Sequence, residues 1–281
     1  MQNKRNLAAW VGTVLGVMGA LALNAALAHA ADGGLKEEFH QTYSLSANGR
    51  VAVQNINGAV HISVWDQNQV KVDAVKRADD EEGLKNMEIR VEPQSDSISI
   101  ATHYRSEGEH WNNHHYSSVE YTITVPRSAR LDDVHLVNGP LDVTGVQGEV
   151  HAECINGKLT VRGLANVAKL STVNGLLEAH FDSLPSGGIE LNSVNGKVDL
   201  TLPSDVKASI EAETVHGHIG NDFGLHASNH FVGHGMRGEL GTGGAQIHLN
   251  NVNGGIEVHH ASDGRTMSTA KDLGDRDEDN I

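Results

Sequence analysis

From Arg130 onward the apolar and polar positions of this chain recur as a block. Each block can be aligned on an Asn-Gly pair, or on His216-Gly217 in one copy, with an aliphatic residue just before it: Val137, Ile155, Val173, Val194, Val215 and Val252. Three places after the Asn stand Leu141, Leu159, Leu177, Val198, Ile219 and Ile256, and two further on come Val143, Val161, Ala179, Leu200 and Val258, with Asn221 as the exception. A spacing of two puts those last columns on one face of a strand, while Asp142, Thr160, Glu178, Asp199 and Glu257 face the other way. The Asn positions step by 18, 18 and 21 residues, another 21 reach His216, and an interrupted 37 lead to Asn253. One supersecondary unit every 18–21 residues predicts an all-β fold, a single-stranded β-helix or solenoid with Asn-Gly turns. A β-sandwich or hairpin meander would use the same turns and is the alternative. In the solenoid reading the aliphatic residue before the Asn fills the core, the Asn side chains stack in a hydrogen-bonded ladder, and Asn and Gly supply φ > 0.

An earlier copy, Ile56-Asn57-Gly58, extends the pattern into the first half. There, alternation predicts strands over Thr42–Ser46, Arg50–Asn55, Ala59–Trp65, Gln69–Lys76, Met87–Glu92, Ser97–His103 and Val119–Val125, with one helical turn at Asp79–Lys85. Residues 106–117 and 222–246 interrupt the rhythm and are expected to be surface loops, the places where a repeat protein carries binding residues. Residues 261–281 lack apolar periodicity and are expected to form a disordered acidic tail.

The N-terminus changes the cellular setting. Lys4 and Arg5, the apolar run Leu7–Leu27 and the small-x-small Ala28-His29-Ala30 are expected to form a secretory signal peptide over residues 1–30, cleaved after Ala30. Residues 31–260 are then a single domain in the periplasm or outside the cell, with no integral membrane segment left. Loss of Lys4 and Arg5 would take the net charge from −15 to −17, which disfavours nucleic acid and anionic lipid as partners. The single cysteine, Cys154, permits no intramolecular disulfide and sits two places before a turn Asn, in a column of mostly small residues. It reads as a buried filler rather than a reactive thiol.

An I-N-G strand is followed by V-K-V-D-A-V-K-R-A-D-D-E-E at Val70–Glu82, M-E-I-R-V-E-P at Met87–Pro93, Y-T-I-T-V-P-R-S-A-R at Tyr121–Arg130 and then serial V-N-G blocks. This order resembles the bacterial DUF4097 family of adhesin-like proteins over about residues 40–260. The resemblance implies a β-helical extracytoplasmic domain with no catalytic residues to carry over, and some relatives are linked to envelope stress. His216 in place of Asn, and the histidine loops, depart from that pattern.

Histidine is the compositional anomaly, at 18 residues. Two clusters, His110, His114 and His115, then His226, His230 and His234, are candidate ligands for Zn or Cu. Neither has the ligand frame of a known zinc motif, and the glycines around the second oppose the helix its spacing would need. No nucleophile elbow, H-E-x-x-H or P-loop is present, so the chain is expected not to be an enzyme and to need no cofactor. The carboxylates Asp142, Glu178, Asp199 and Glu257 leave a carbohydrate-active β-helix enzyme as one alternative, and periplasmic metal binding through the histidine loops as another. The leading expectation is a non-enzymatic adhesin-like binding protein of the bacterial envelope, whose partner is an envelope protein or polysaccharide.

Overall fold

Period-two alternation of aliphatic and polar residues becomes strand almost throughout the computed structural model, which describes residues 28–29, 34–105, 116–184, 187–229 and 233–273. The first part holds β1 (Ala28–His29), β2 (Leu35–Ser44), β3 (Arg50–Asn57), β4 (Val60–Trp65), β5 (Gln69–Ala78), α1 (Glu81–Asn86), β6 (Met87–Pro93), β7 (Ser97–Tyr104) and β8 (Ser117–Pro126). The helical turn forms because the Asp80 carboxylate accepts from the Gly83 N–H at 2.8 Å and Glu81 and Glu82 sit at its positive end. The repeats follow as pairs: β9 (Arg130–Asn138) with β10 (Leu141–Thr144), β11 (Val150–Asn156) with β12 (Leu159–Leu164), β13 (Ala168–Asn174) with β14 (Leu177–Phe181), β15 (Ile189–Asn195) with β16 (Val198–Leu202), and β17 (Ala208–His216) with β18 (Ile219–Asn221). Two short strands, β19 (Ala227–Asn229) and β20 (His234–Leu240), precede β21 (Ala245–Asn253), β22 (Ile256–His260) and β23 (Ala270–Asp272).

Each pair is split at its Asn-Gly turn, so the strand before the turn joins one sheet and the strand after it joins the other. The result is two extended mixed sheets, neither closed into a barrel, with orders β1-β2-β5-β8-β4-β10-β12-β14-β16-β22-β18 and β19-β20-β17-β21-β15-β13-β11-β9-β3-β7-β6. Neighbouring repeats pair in parallel and in step, Leu141 opposite Leu159, Leu159 opposite Leu177, Leu177 opposite Val198 and Val198 opposite Ile256. A hairpin meander would pair them antiparallel.

The stack does not follow chain order. At one end β7 and β8 lie outside β3 and β4, under antiparallel β6 and β5, and the chain then returns to the far side of β3 and β4 to lay down β9 and β10. At the other end β17 and β18 leave a space that β21 and β22 fill last. Hence the repeat with the unusual sequence is the outermost one. Asn221 interrupts the apolar column because β18 is the edge of its sheet, where its side chain accepts from the Leu225 N–H and donates to the Leu225 carbonyl.

The inward residues of both sheets merge into one apolar cluster, from Val51 and Val53 through Leu170 and Leu191 to Leu249, against Ile62, Leu159, Leu177, Leu200 and Val258. The segment after residue 260, expected to be disordered, instead places β23 antiparallel to β20. Ser268 anchors it by donating to the Val206 carbonyl, and Arg265 pairs with Asp205 at 2.8 Å. Residues 274–281, most of the expected signal peptide and the loop at 106–115 lie outside the described residues.

Candidate binding surface

The turn between the two sheets is built from three columns. Glycine comes first by necessity: a Cβ on Gly175 would stand 1.9 Å from the Gly157 carbonyl oxygen, and one on Gly196 1.8 Å from that of Gly175. The backbones approach this closely because the Gly157 N–H donates to the Asn174 carbonyl and the Gly175 N–H to the Asn195 carbonyl, both at 3.0 Å. Among the described residues only glycines have positive φ, so the asparagines are not there for the backbone conformation expected of them.

Their role is the ladder. Asn138 donates to Asn57 Oδ1 at 2.8 Å, Asn156 to Asn138 at 2.9 Å, Asn174 to Asn156 at 2.8 Å, Asn195 to Asn174 at 3.0 Å and Asn253 to Asn195 at 2.8 Å. Every step runs in one direction, and the row ends where His216 stands opposite Asn253.

The aliphatic residue before each Asn does not fill the core, which corrects the sequence reading. Alternation decides the matter. The residue two places before the Asn points inward, as Asn55, Leu136, Cys154, Thr172, Ser193, Asn251 and Thr214 all do, so the one between must point out. Ile56 is 41% exposed, Val194 40%, Val215 39% and Val252 42%, and Val137, Ile155 and Val173 are half-buried in the same row. Strand register sets these side chains side by side in the order Ile56, Val137, Ile155, Val173, Val194, Val252 and Val215. Six steps of about 4.8 Å make a ridge roughly 29 Å long and one side chain wide.

β-Propensity alone does not account for the ridge. Thr would serve an exposed strand position equally well, and the next outward column is polar throughout, with Gln54, His135, Glu153, Ser171, Asn192, Asn250 and Glu213. Seven aliphatics in a row on an otherwise polar face form an apolar patch of the kind that marks an interaction site.

The inward column explains the cysteine. Cys154 is fully buried, its thiol donates to the Gly139 carbonyl at 3.4 Å, and burial pushes its pKa up to about 11.

The carboxylates behind the enzyme alternative stand on the outer face of the sheet that contains β10, β14, β16 and β22, each engaged with a basic partner. Glu178 meets Arg162 and, at 2.7 Å, Lys158, whose hydrogen bond is the main reason its pKa falls below the usual carboxylate range. Asp199 pairs with Lys197 at 3.0 Å, Glu257 with His218 at 2.7 Å and Asp142 with His61 at 3.0 Å. Glu178, Asp199 and Glu257 stand side by side on β14, β16 and β22, and Asp142 lies in the same row beyond Thr160. An open concavity near Pro203, Lys207 and Gly244 has Arg265 in its lining, already engaged by Asp205 and Asp263.

Of the six candidate metal ligands, His110, His114, His115 and His230 lie outside the described residues. His226 is bound to Asp272, Nδ1 to Oδ2 at 2.8 Å, and His234 lies in β20. Among the described residues no three His, Cys, Asp or Glu side chains converge to hold a metal ion, and no helix is long and apolar enough to cross a membrane. Elsewhere histidine keeps company with acid: His40 with Asp73, His135 with Glu153 and His259 with Asp222 stand at 2.8, 3.1 and 3.0 Å.

No protein-family model matches the sequence, and no curated protein matches it. Among solved structures it is similar to a candidate cell adhesion protein from Clostridium sporogenes ATCC 15579, at 14% identity over 80% of this chain and 100% of that one, with a TM-score of 0.46. It is also similar to a candidate adhesin from Bacteroides fragilis NCTC 9343, at 10% identity over 80% of this chain and 97% of that one, with a TM-score of 0.32. A candidate lipid-binding protein from Parabacteroides distasonis ATCC 8503 shares 11% identity over 80% of this chain and 97% of its own, with a TM-score of 0.24.

Proposed function

We propose that this chain is a non-enzymatic, adhesin-like binding protein of the bacterial cell envelope, a β-solenoid of the DUF4097 type exported through the signal peptide at residues 1–30. The observation that carries the binding role is the exposed aliphatic ridge from Ile56 to Val215, because the largest apolar patch on a protein surface is often a functional one and this patch is a continuous row on an otherwise polar face. The ion-paired carboxylates support the non-enzymatic half. A general acid or base must be free to exchange a proton with a substrate, and a carboxylate engaged by Lys158 and Arg162, as Glu178 is, works against that.

The test is co-sedimentation of the mature chain with isolated bacterial envelopes, alongside an Ile155→Thr, Val173→Thr, Val194→Thr variant. Threonine keeps the branched shape that suits a strand and removes the apolar face. Binding by the parent and loss of most of it in the variant is the expected result. Equal binding by both, or none by either, overturns the proposal.

A further inference from the structure

The ridge and the asparagine ladder beside it are two rows of one surface, and their chemistry together narrows the ligand. Each interior Asn spends one amide hydrogen and one carbonyl lone pair on its neighbours in the ladder. An amide carries two of each, so Asn138, Asn156, Asn174 and Asn195, all exposed, each keep one donor and one acceptor that the ladder does not use. The surface therefore alternates an aliphatic contact with a donor–acceptor pair, repeated at every strand spacing, and it carries no charge in either row.

The ridge's narrow shape and the charge of the chain favour one kind of partner over the commoner ones. Seven partly exposed aliphatic side chains offer on the order of 400 Å² of apolar surface, comparable to the non-polar share of one side of a standard protein interface, but laid out in a row one side chain wide with no broad centre to bury. A second copy would also bring together two chains of net charge −15. A polyanion would be repelled by the same field, and the ridge is too narrow to enter a bilayer. A ligand that fits is long, slim, neutral, apolar on its C–H faces and rich in hydroxyls at its edges.

We infer that the ridge and ladder form a binding site for a neutral, unbranched polysaccharide lying along the stack, its sugar C–H faces on Ile56 to Val215 and its hydroxyl pairs on the free amide groups of the asparagines. This rests on the binding role proposed above and names the ligand class for it. The ligand would run across the strands, so several sugars bind at once and affinity grows with chain length.

Affinity electrophoresis tests it, with gels containing hydroxyethylcellulose as a neutral linear glucan, a branched mannan, or alginate as a polyanion. Retardation by the linear glucan, insensitive to salt, and weakened roughly tenfold in the Ile155→Thr, Val173→Thr, Val194→Thr variant with its melting temperature retained, is the expected outcome. No retardation by the glucan, equal retardation of the variant, or retardation by alginate alone overturns the inference. Protease treatment of the envelopes separates it from the broader proposal. If digestion abolishes a binding that the variant also lacks, the ridge binds an envelope protein, so the function stands and the glycan does not.

Discussion

The side-chain nitrogen of Asn253 donates to Oδ1 of Asn195 at 2.8 Å, across 58 positions of sequence. That bond joins the last repeat to the fourth Asn-Gly block of the regular series, with the intervening repeat displaced outward, and it makes the ladder continuous from Asn57 to Asn253. The regular spacing of the first blocks and the long interval before Asn253 are thus parts of one row.

The ladder is directional, so its members should respond differently to the same change. Asn174 both donates and accepts, and Asn174→Ala is expected to cost about 1–2 kcal/mol for two exposed hydrogen bonds. Asn57 only accepts within the ladder, so Asn57→Asp keeps its ladder bond from Asn138, whereas Asn174→Asp loses its donation to Asn156. Denaturant melts should rank Asn57→Asp as the milder change.

Glycine in the turn column admits no side chain. Gly175→Ala should cost about 3 kcal/mol, because its Cβ would collide with the Gly157 carbonyl and that backbone is tied into the stack. Gly224 also has positive φ, +85°, but open space around it, so Gly224→Ala should cost only about 1 kcal/mol of conformational strain. Thermal unfolding of the pair separates collision from strain.

Cys154 should behave as part of the core. Its buried, protonated thiol is expected to resist iodoacetamide in the native protein near neutral pH and to react fully once unfolded, read by intact mass.

Stability should vary with pH at both ends of the range. Glu88 is held down to about 2 by hydrogen bonds from Arg90 and Arg105, and Asp263 to about 2 by Ser204 and then the Arg265 backbone. Both lie below their unfolded values near 4, so their contribution is complete above about pH 4 and is lost as pH falls toward 2. The His40 pKa is raised by its hydrogen bonds to Asp73 and then Glu38, so its contribution is complete below its unfolded value of about 6.5 and is lost as pH rises through the folded one. Melting temperature against pH should fall below pH 4, and a weak decline above neutrality should disappear in His40→Gln.

Much of this architecture was legible in the sequence because period two and the Asn-Gly spacing act locally. The strands at Arg50–Asn57 and Met87–Pro93, the helical turn after Asp80 and the ladder itself all follow from such signals. The outward ridge was misread as core, although strand alternation places it outside. Leu170 and Thr172 share one phase of a strand and Val173 occupies the other, but a small polar inward column and an aliphatic outward one invert the usual cue for burial. Stack order was not legible, since which repeat sits beside which is decided by distant pairing and not by any local run of residues. The histidines were ambiguous for a related reason: their acidic neighbours, Asp142 for His61 and Asp222 for His259, come from distant parts of the sequence.

The late filling of the space between β15–β16 and β17–β18 gives this protein a temporal asymmetry. A chain delivered N-terminus first can pair β17 with β20 early, but it holds an open gap in each sheet until residues 245–260 arrive. Those residues work as a keystone placed from the side. A shortened product ending near residue 240 would lack an interior course of its wall rather than an end, and would expose two pairs of strand edges to any other unfinished chain nearby.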